Sequence, residues 1–306
     1  MIYYILRRIM STLLVLLCVA IFAFALIRMA PGSPALLLVP DGASAETIRE
    51  MEIYLGLDRP LYIQFFRYLS ELVRGNLGVS TAYRVPVMDV IINRLPLTIK
   101  LCTAGVVLGI LISIPLGIYA GAHRGKAADF FAMFFALLGQ SMSPVWLGIL
   151  LIYVFSVQLG VLPSMGATSW RHFIMPAIVL GYPMAAQITR IARSGMINVL
   201  GEDYITSMHA KGIRRGVILY KYALKNALIP VIVLIGLYIG SFLAGSIIAE
   251  TIFGLPGIGQ LTNQAVGNRD YALVQSMMVI SAFLFTMVNF AVDIINSFID
   301  PRIRLE

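Results

Sequence analysis

The chain has 306 residues, of which 59% are hydrophobic and only 12% are charged. Soluble domains carry about 25% charged residues, so this composition excludes an ordinary soluble protein and indicates an integral membrane protein. The net charge of +8 does not by itself indicate nucleic-acid binding, because excess Lys and Arg usually mark the cytoplasmic loops of a membrane protein. Cys18 and Cys102 lie in apolar runs and are expected to be small hydrophobic side chains, not a disulfide or a metal site.

Six uncharged runs are long enough to cross a bilayer, since a transmembrane helix needs roughly 17–25 apolar residues. Each run should be helical, because hydrocarbon offers no partners to backbone N–H and C=O groups. The fourth run is the weakest, since it is short and holds Pro176 and Pro183. The first run follows Arg7 and Arg8 like a signal peptide, but it exceeds the 7–15 apolar residues of that type of segment. We predict an all-α, polytopic membrane helix bundle with about six transmembrane helices, at 9–27, 97–119, 130–155, 173–189, 227–249 and 272–298.

Loop charges predict the orientation of this bundle. A cytoplasmic N-terminus would place 1–8, 120–129, 190–226 and 299–306 inside, and these segments hold more than half of the 23 Lys and Arg residues. The outside segments, 28–96, 156–172 and 250–271, hold equal numbers of acidic and basic residues. This asymmetry predicts that both termini are cytoplasmic.

The outside segment 28–96 is long enough to contain a helix of its own. Pro60 suits a first helical position and Gly75 a helix stop. We predict an amphipathic helix between them, which lies on the membrane or on the bundle, or forms a docking surface for an external partner. Its apolar face consists of Tyr62, Phe65, Phe66, Leu69, Leu72 and Val73.

The inside segment 190–226 also predicts a short helix. Asp203 suits the positive N-terminal end of a helix dipole, Tyr204 and Met208 contribute to a small apolar face, and Gly212 suits a C-terminal stop. Such a helix could fit a groove in a cytoplasmic partner, or the segment could be a basic loop on anionic lipid. The residue pattern alone leaves both interpretations open.

Motifs in this segment resemble those of ABC-importer permeases, most closely the peptide/nickel class. The matching blocks are Asp203-Tyr204, Ala210-Lys211-Gly212 and Leu224-Lys225-Asn226-Ala227-Leu228-Ile229-Pro230. Further blocks follow the order of the family along nearly the whole chain, at 55–61, 75–80, 94–98, 250–259, 268–271 and 300–304. Three positions depart from the family pattern, since Met208 replaces the usual Ala, Tyr222 a frequent His and Lys225 the usual Arg.

The resemblance implies a multi-pass subunit of the bacterial or archaeal cytoplasmic membrane that forms half of an import pathway. It implies a second permease subunit, usually a distinct homologue, two cytoplasmic ATPases and an external substrate-binding protein, besides the lipid bilayer; no nucleic-acid partner is expected. Dipeptides, oligopeptides, glutathione, nickel and metal–opine complexes are all cargoes of this class, and no residue selects among them. The coupling loop that docks on the ATPase would be carried by Asp203, Tyr204, Met208, Ala210, Lys211, Gly212 and Asn226.

No residue of the chain is expected to hydrolyse ATP. A phosphate-binding loop needs Gly-x4-Gly-Lys-Ser/Thr, and the nearest match, 121–127, is too short and ends in Ala127 instead of a hydroxyl residue. We therefore expect no catalytic residue, cofactor site or metal site in this chain. ATP and Mg would be bound by the partner ATPases.

Polar interruptions and small residues suggest further roles. Three polar residues beside Pro144 interrupt the third predicted span and could line the pathway or form a packed kink, and the loop after the fifth span could be an external gate or a tight turn. Glycine pairs at small-xxx-small spacing permit close helix approach, within the chain or at a partner interface. The candidates are Gln140, Ser141 and Ser143 for the pathway, Phe253, Pro256 and Gly257 for the gate, and Gly105, Gly109, Gly236 and Gly240 for packing.

Two other classes of protein would also explain part of the sequence. A secondary transporter or channel would need no ATPase, but it predicts buried charges for ion coupling, and Asp293 is the one acid within a predicted span. A membrane anchor would explain the hydrophobicity but not the ordered motifs. The sequence therefore favours the importer permease.

Overall fold

A computed structural model describes residues 2–29, 39 and 42–299 of the chain. Within these residues the chain is almost entirely helical, and the sole β-type contact is an antiparallel bridge between Val79 and Pro86. The predicted all-α bundle is confirmed. The predicted cytoplasmic tail beyond Ile299, and positions 30–38 and 40–41 of the external segment, lie outside the described residues.

The α-helices are numbered here in chain order. A π-helical turn, Ile152–Gln158, extends α6, a 3-10 turn at Trp170–Phe173 leads into α7, and a second π-helical turn, Ile218–Ala223, joins α9 to α10. The bounds are α1 Ile2–Met29, α2 Ala45–Leu55, α3 Leu61–Val73, α4 Val87–Ala122, α5 Ala127–Ser141, α6 Pro144–Leu151, α7 Ile174–Leu200, α8 Asp203–Ala210, α9 Arg215–Val217, α10 Leu224–Ala227, α11 Ile229–Leu243, α12 Ile247–Ile252, α13 Ile258–Gly267 and α14 Tyr271–Ile299.

Four of the described helical segments are long and apolar enough to cross a membrane, namely Leu6–Met29, Val87–Ala122, Trp170–Leu200 and Tyr271–Asn296. Two bent pairs raise the number to six if each pair is one span. Helices α5 and α6 meet at an angle of 101°, and the α9–α10 segment meets α11 at 51°. By length and composition, the described residues thus hold four continuous candidate spans, and two broken ones if each bent pair crosses the membrane.

Several helices differ in length from the predicted spans. Helix α4 begins ten residues before the predicted start at 97 and runs through Pro96, and α7 runs eleven residues past the predicted end at 189. Hydropathy marks only the part of a helix that can lie in hydrocarbon, so the polar extensions of both helices escaped it. The fifth span is shorter than predicted, since α11 ends at Leu243 instead of 249.

The most extensive helix contact joins α4 and α7. Glycines permit it: a Cβ added to Gly105 would lie 3.1 Å from the Cβ of Leu180, and one added to Gly109 would lie 3.0 Å from the Sδ of Met184. Bilayer helices associate through such close packing, because lipid supplies no hydrophobic drive between them. Gly105 and Gly109 thus lie at a contact inside this chain.

The second glycine pair lies where α11 crosses α14. Gly236 faces Val292 with no space for a Cβ, and a Cβ on Gly240 would lie 2.9 Å from the Cδ2 of Phe285. These glycines also contact a helix of the same chain. Both glycine pairs therefore serve internal packing in this structure.

Helix α14 is held at both ends by acidic side chains. Near its C-terminal end Asp293 pairs with Arg8 of α1. At its N-terminal end the fully buried Asp270 caps the helix, since its Oδ1 accepts from the N–H of Leu273 at 3.1 Å. The Oδ2 of Asp270 accepts from the hydroxyl of Ser80 at 2.5 Å and from the N–H of Ala82 at 3.1 Å. The external segment is thereby fastened to the start of α14.

Candidate functional site

The short helix α8 lies at the predicted coupling position, and its ends follow from its sequence. Asp203 occupies its first turn, where a negative charge interacts favourably with the helix dipole. Gly212 has φ +73°, and the N–H groups of Gly212 and Ile213 donate to the carbonyls of His209 and Met208 at 3.0 and 3.2 Å. This is a Schellman motif, which needs a left-handed residue that glycine adopts without strain. Gly212 therefore sets the end of α8 and the direction in which the chain leaves it.

One face of α8 is anchored to the bundle through Ile205. This side chain is 2% exposed and packs with Ile118 of α4, Met196 of α7 and Ile218 of the second π-helical turn. Met208 packs against the edge of the same cluster. Burial of an Ile side chain contributes about 1.5–3 kcal/mol. Ile205 thus packs α8 against the C-terminal ends of α4 and α7.

The opposite face of α8 is free in the isolated chain. Asp203, Tyr204, Ala210 and Lys211 are all exposed. The hydroxyl of Tyr204 accepts a hydrogen bond from the side-chain amide of Asn226 at 3.1 Å, which brings together two predicted coupling residues 22 positions apart. These side chains are therefore accessible at the surface of the chain.

A second anchor next to α8 was missed by the sequence reasoning. Arg193 of α7 donates through Nε and Nη2 to the two carboxylate oxygens of Asp129 in α5, the second at 2.7 Å. The N–H of Gly125 also donates to Asp129, at 2.9 Å. A bidentate pair of this kind fixes orientation as well as distance. It ties the turn before α5 to α7, the helix that precedes α8.

The predicted gate loop forms a helix–turn–helix, α12 and α13, that packs back against α4. Glu250 of α12 is fully buried. Its Oε1 accepts from the hydroxyl of Thr98 at 3.0 Å, and its Oε2 accepts from the N–H of Gln260 at 2.9 Å. The hydroxyl of Ser246 adds a longer contact of 3.4 Å. The carboxylate thus joins α4, α12 and the start of α13.

The three predicted gate residues surround this network. Phe253 is 1% exposed and packs with Leu101 and Leu147, while Pro256 is half-buried. Gly257 is buried against the network, since a Cβ there would lie 2.5 Å from the Oε2 of Glu250. The loop is therefore a packed plug inside the chain and not an exposed turn.

Glu250 and Thr98 themselves were not singled out from the sequence. The available signal was an acid set among Ile248, Ala249 and Ile252, within one of the family-like blocks. Burial raises the pKa of Glu250 above its ordinary value, and the hydrogen bonds from Gln260 and Thr98 partly oppose this rise. A motion that admits water to this site would therefore lower the pKa of Glu250 toward its ordinary value.

The predicted pathway residues lie at the break between α5 and α6. Gln140, Ser141 and Ser143 are all exposed in the isolated chain. Arg190 of α7 is exposed beside them and donates to the Oε1 of Gln140. Sequence reasoning placed Arg190 in a cytoplasmic loop because the polar end of α7 escaped the hydropathy criterion. The structure instead places Arg190 within α7 and joins it to Gln140 near the bend.

Comparisons with known proteins match nearly the whole length of the chain. The family described as "Binding-protein-dependent transport system inner membrane component" matches residues 113–305, and its N-terminal family matches residues 1–102. The glutathione transport system permease protein GsiC of Escherichia coli strain K12 is 38% identical over 304 residues, covering 99% of both chains. The GsiC protein of Salmonella paratyphi A is 37% identical over the same length.

A similar fold occurs in solved structures. An inward-facing structure of the MetNI methionine ABC transporter superposes with a TM-score of 0.56 and 18% identity, covering 70% of this chain and 97% of that chain. A second crystal form of the same transporter gives a TM-score of 0.57. At this identity the likeness concerns the fold alone.

Proposed function

Because this chain belongs to the family of binding-protein-dependent transport system inner membrane components and is a permease of an ABC importer, we propose that it forms half of a pathway for peptide-like substrates and docks an ATPase through α8. A permease of this kind works in a complex with ATPase and substrate-binding partners. The second half of the pathway would come from another permease chain, and ATP with Mg would be bound by the ATPases.

The observation that carries the coupling role is the two-sided environment of α8. Ile205 is buried against the inner ends of α4 and α7, while Asp203, Tyr204 and Lys211 are free to contact another protein. Closure of the ATPases would move α8 as a rigid element, because a packed cluster shifts between discrete arrangements and does not deform smoothly. The paired helices α4 and α7 would follow this motion.

The pathway assignment rests on the polar break of the third span. Non-helical backbone and charged side chains at membrane depth are tolerated only where protein or water covers them. The exposed face made by Gln140, Ser141, Ser143 and Arg190 therefore belongs toward the second permease chain or the water-filled pathway. Among the described residues no carboxylate pairs with Arg190. A mobile anion, such as the C-terminal carboxylate of a peptide, would compensate its charge.

Among the substrates of this class, a peptide-like cargo has the most support. Relatives with 37–38% identity are named as glutathione transport system permeases. The guanidinium of Arg190, which has no carboxylate partner among the described residues, supports the same choice, since it matches a carboxylate in geometry and charge.

Substitution of two matched glycines tests the docking role of α8. Gly212 and Gly125 both have positive φ, +73° and +77°, both lie in cytoplasmic turns in the predicted orientation, and neither has a neighbour within 4 Å of an added Cβ. Gly212→Trp and Gly125→Trp should therefore cost similar backbone strain, about 1 kcal/mol. The measurement is recovery of the ATPase in a pull-down with mass spectrometry from mild detergent. We expect loss of the ATPase with Gly212→Trp only; equal recovery with both variants would exclude α8 as the docking site.

The pathway role is tested with Arg190→Gln in transporter reconstituted with its partners. Loss of a charge-assisted contact should lower uptake of a peptide with a free C-terminal carboxylate about tenfold. Uptake of the same peptide with an amidated C-terminus should change much less. Arg171→Gln, at the outer end of the same span, serves as the control. An equal effect on both peptides would show that Arg190 does not bind the carboxylate.

A further inference from the structure

A polar cavity of about 430 Å³ lies between α3 and the outer ends of α1 and α14. Its described lining includes three arginines, Arg28, Arg59 and Arg67, but only one acid, Glu71. The carboxylate of Glu71 already accepts a hydrogen bond from Asn76 at 2.7 Å. The cavity is therefore positively charged.

Donors inside this cavity lack partners. The Nε of Arg28, the Nε2 of Gln275 and the hydroxyl of Tyr68 are buried and have no hydrogen bond among the described residues. Tyr68 and Gln275 are near enough for the amide to influence the hydroxyl, but they do not reach hydrogen-bond geometry. Arg28 is held in place, since its Nη2 donates to Gln64 at 2.5 Å. Buried donors usually have a partner in native proteins, so this convergent set indicates a missing acceptor.

An apolar cavity of about 730 Å³ adjoins the polar one, and Leu77 lines both. All of its lining residues are apolar. They include Leu17 of α1, Leu72 of α3, Ile92 of α4 and Phe283 of α14. Phe283 lies twelve residues along α14 from Tyr271, about 18 Å at 1.5 Å per residue. The apolar cavity is thus deeper in the membrane than the polar one.

We propose that the two cavities form one binding site for a phospholipid of the outer leaflet. Near the membrane surface the phosphate accepts from the free donors of Arg28, Tyr68 and Gln275 and is attracted by the guanidinium of Arg67, which lines the same cavity. An acyl chain occupies the apolar cavity below. Guanidinium groups suit phosphate because they donate in a fixed fork. A free phosphate or a peptide carboxylate would fill only the upper cavity and leave the lower one empty. The order of charge and apolar surface along the membrane normal therefore favours a lipid.

The bound lipid would fasten the external segment to the bundle. Helix α3 contacts α1 directly through Phe65, whose ring lies 5.4 Å from that of Phe24. Helix α1 is otherwise mostly exposed, with 17% of its apolar window buried. A lipid between α1, α3 and α14 adds a contact to each of them.

Native mass spectrometry of the full-length protein tests the headgroup site. The protein is taken from nanodiscs of phosphatidylglycerol and the lipid retained in detergent is counted for wild type, Arg67→Gln and Arg74→Gln. Both arginines are exposed, Arg67 within α3 and Arg74 directly after it, but only Arg67 lines the cavity. We expect about tenfold lower retention for Arg67→Gln and no change for Arg74→Gln. Equal retention by all three proteins would overturn the proposal.

The acyl-chain site is tested on α1. Leu17 lines the apolar cavity, whereas Leu14 is exposed on the same helix and does not line it. Leu17→Trp should reduce lipid retention at least about fivefold, and Leu14→Trp should not. Competition with inorganic phosphate separates the two sources of the anion. Displacement of the retained lipid by millimolar phosphate, with no effect of Leu17→Trp, would identify a small-anion site and overturn the lipid assignment.

Gln275→Leu separates binding from folding. In delipidated protein this variant should melt at the same temperature as wild type or higher, because it removes a buried donor without a partner. In phosphatidylglycerol nanodiscs it should lose the lipid-dependent rise in melting temperature. A fall in melting temperature without lipid would show that Gln275 is already satisfied within the protein, against the proposal.

Discussion

The hydroxyl of Thr98 donates to the Oε1 of Glu250 at 3.0 Å while it accepts from the N–H of Ile258 at 2.8 Å. One side chain of α4 thus binds both arms of the α12–α13 plug, across 152 and 160 positions of sequence. The hydroxyl is buried together with the carboxylate it contacts. The plug and α4 are therefore expected to move as one unit during transport.

Thr98→Val should destabilise the protein by about 1–3 kcal/mol. The substitution keeps the volume but leaves the Oε1 of Glu250 with only the longer contact from Ser246, and the N–H of Ile258 without a partner. The measurement is thermal unfolding in detergent. Thr103 of the same helix is exposed and bonds only to the carbonyl of Ile99, so Thr103→Val should change stability by less than about 0.5 kcal/mol. Similar effects of both substitutions would contradict a special role for Thr98.

Gly257→Ala should disrupt the plug. Its Cβ would lie 2.5 Å from the Oε2 of Glu250 and 2.6 Å from the Oγ1 of Thr98, distances that force the network apart. We expect about 1–3 kcal/mol of destabilisation and reduced uptake in the reconstituted transporter. Gly267→Ala, at the end of α13 with no neighbour within 4 Å, should be neutral or slightly stabilising. A wild-type melting temperature for Gly257→Ala would show that the network tolerates expansion.

Glu250→Gln should change how stability depends on pH. Because burial raises the folded-state pKa of Glu250, its contribution is fully present below its ordinary pKa and decreases as the pH rises toward the folded value. The glutamine variant lacks this titration. The stability of wild type minus that of Glu250→Gln should therefore be larger at low pH than at pH 8. Melting temperatures across that range provide the measurement. The control is Glu202→Gln, at an exposed position, and parallel curves for wild type and Glu250→Gln would refute the prediction.

Asp270→Asn should loosen the external segment from α14. The carboxylate now accepts hydrogen bonds from Ser80, Ala82 and Leu273. The side-chain amide of asparagine would point an N–H group at one or more of these donors. We expect a loss of about 2–4 kcal/mol, since the carboxylate also caps the helix. Faster proteolysis of the external segment should accompany the lower melting temperature. Tyr83→Phe, which removes an exposed hydrogen bond to Gln264, should leave both measurements unchanged.

Hydropathy was sufficient for the bundle because lipid leaves the backbone no alternative to a helix. The apolar run around Leu101–Tyr119 required a helix, and the spacing of Pro60 and Gly75 gave α3 its bounds within two residues. Local signals also determined α8, since Asp203 and Gly212 act on the backbone next to them. Such features depend on neighbours in the chain, and the sequence contains them in full.

Contacts between distant segments were decided only by the tertiary structure. Thr98 and Glu250 carry no local sign of their pairing, and Arg190 joins Gln140 only because α5 breaks and α7 continues past the apolar run. The position of the Arg28 and Gln275 donors in one cavity likewise depends on how α1 meets α14. The sequence by itself determined the apolar spans, the short helix α8 and the family, because these depend on local polarity and spacing. The tertiary structure decided which polar side chains meet, because that depends on the angles at which the helices pack.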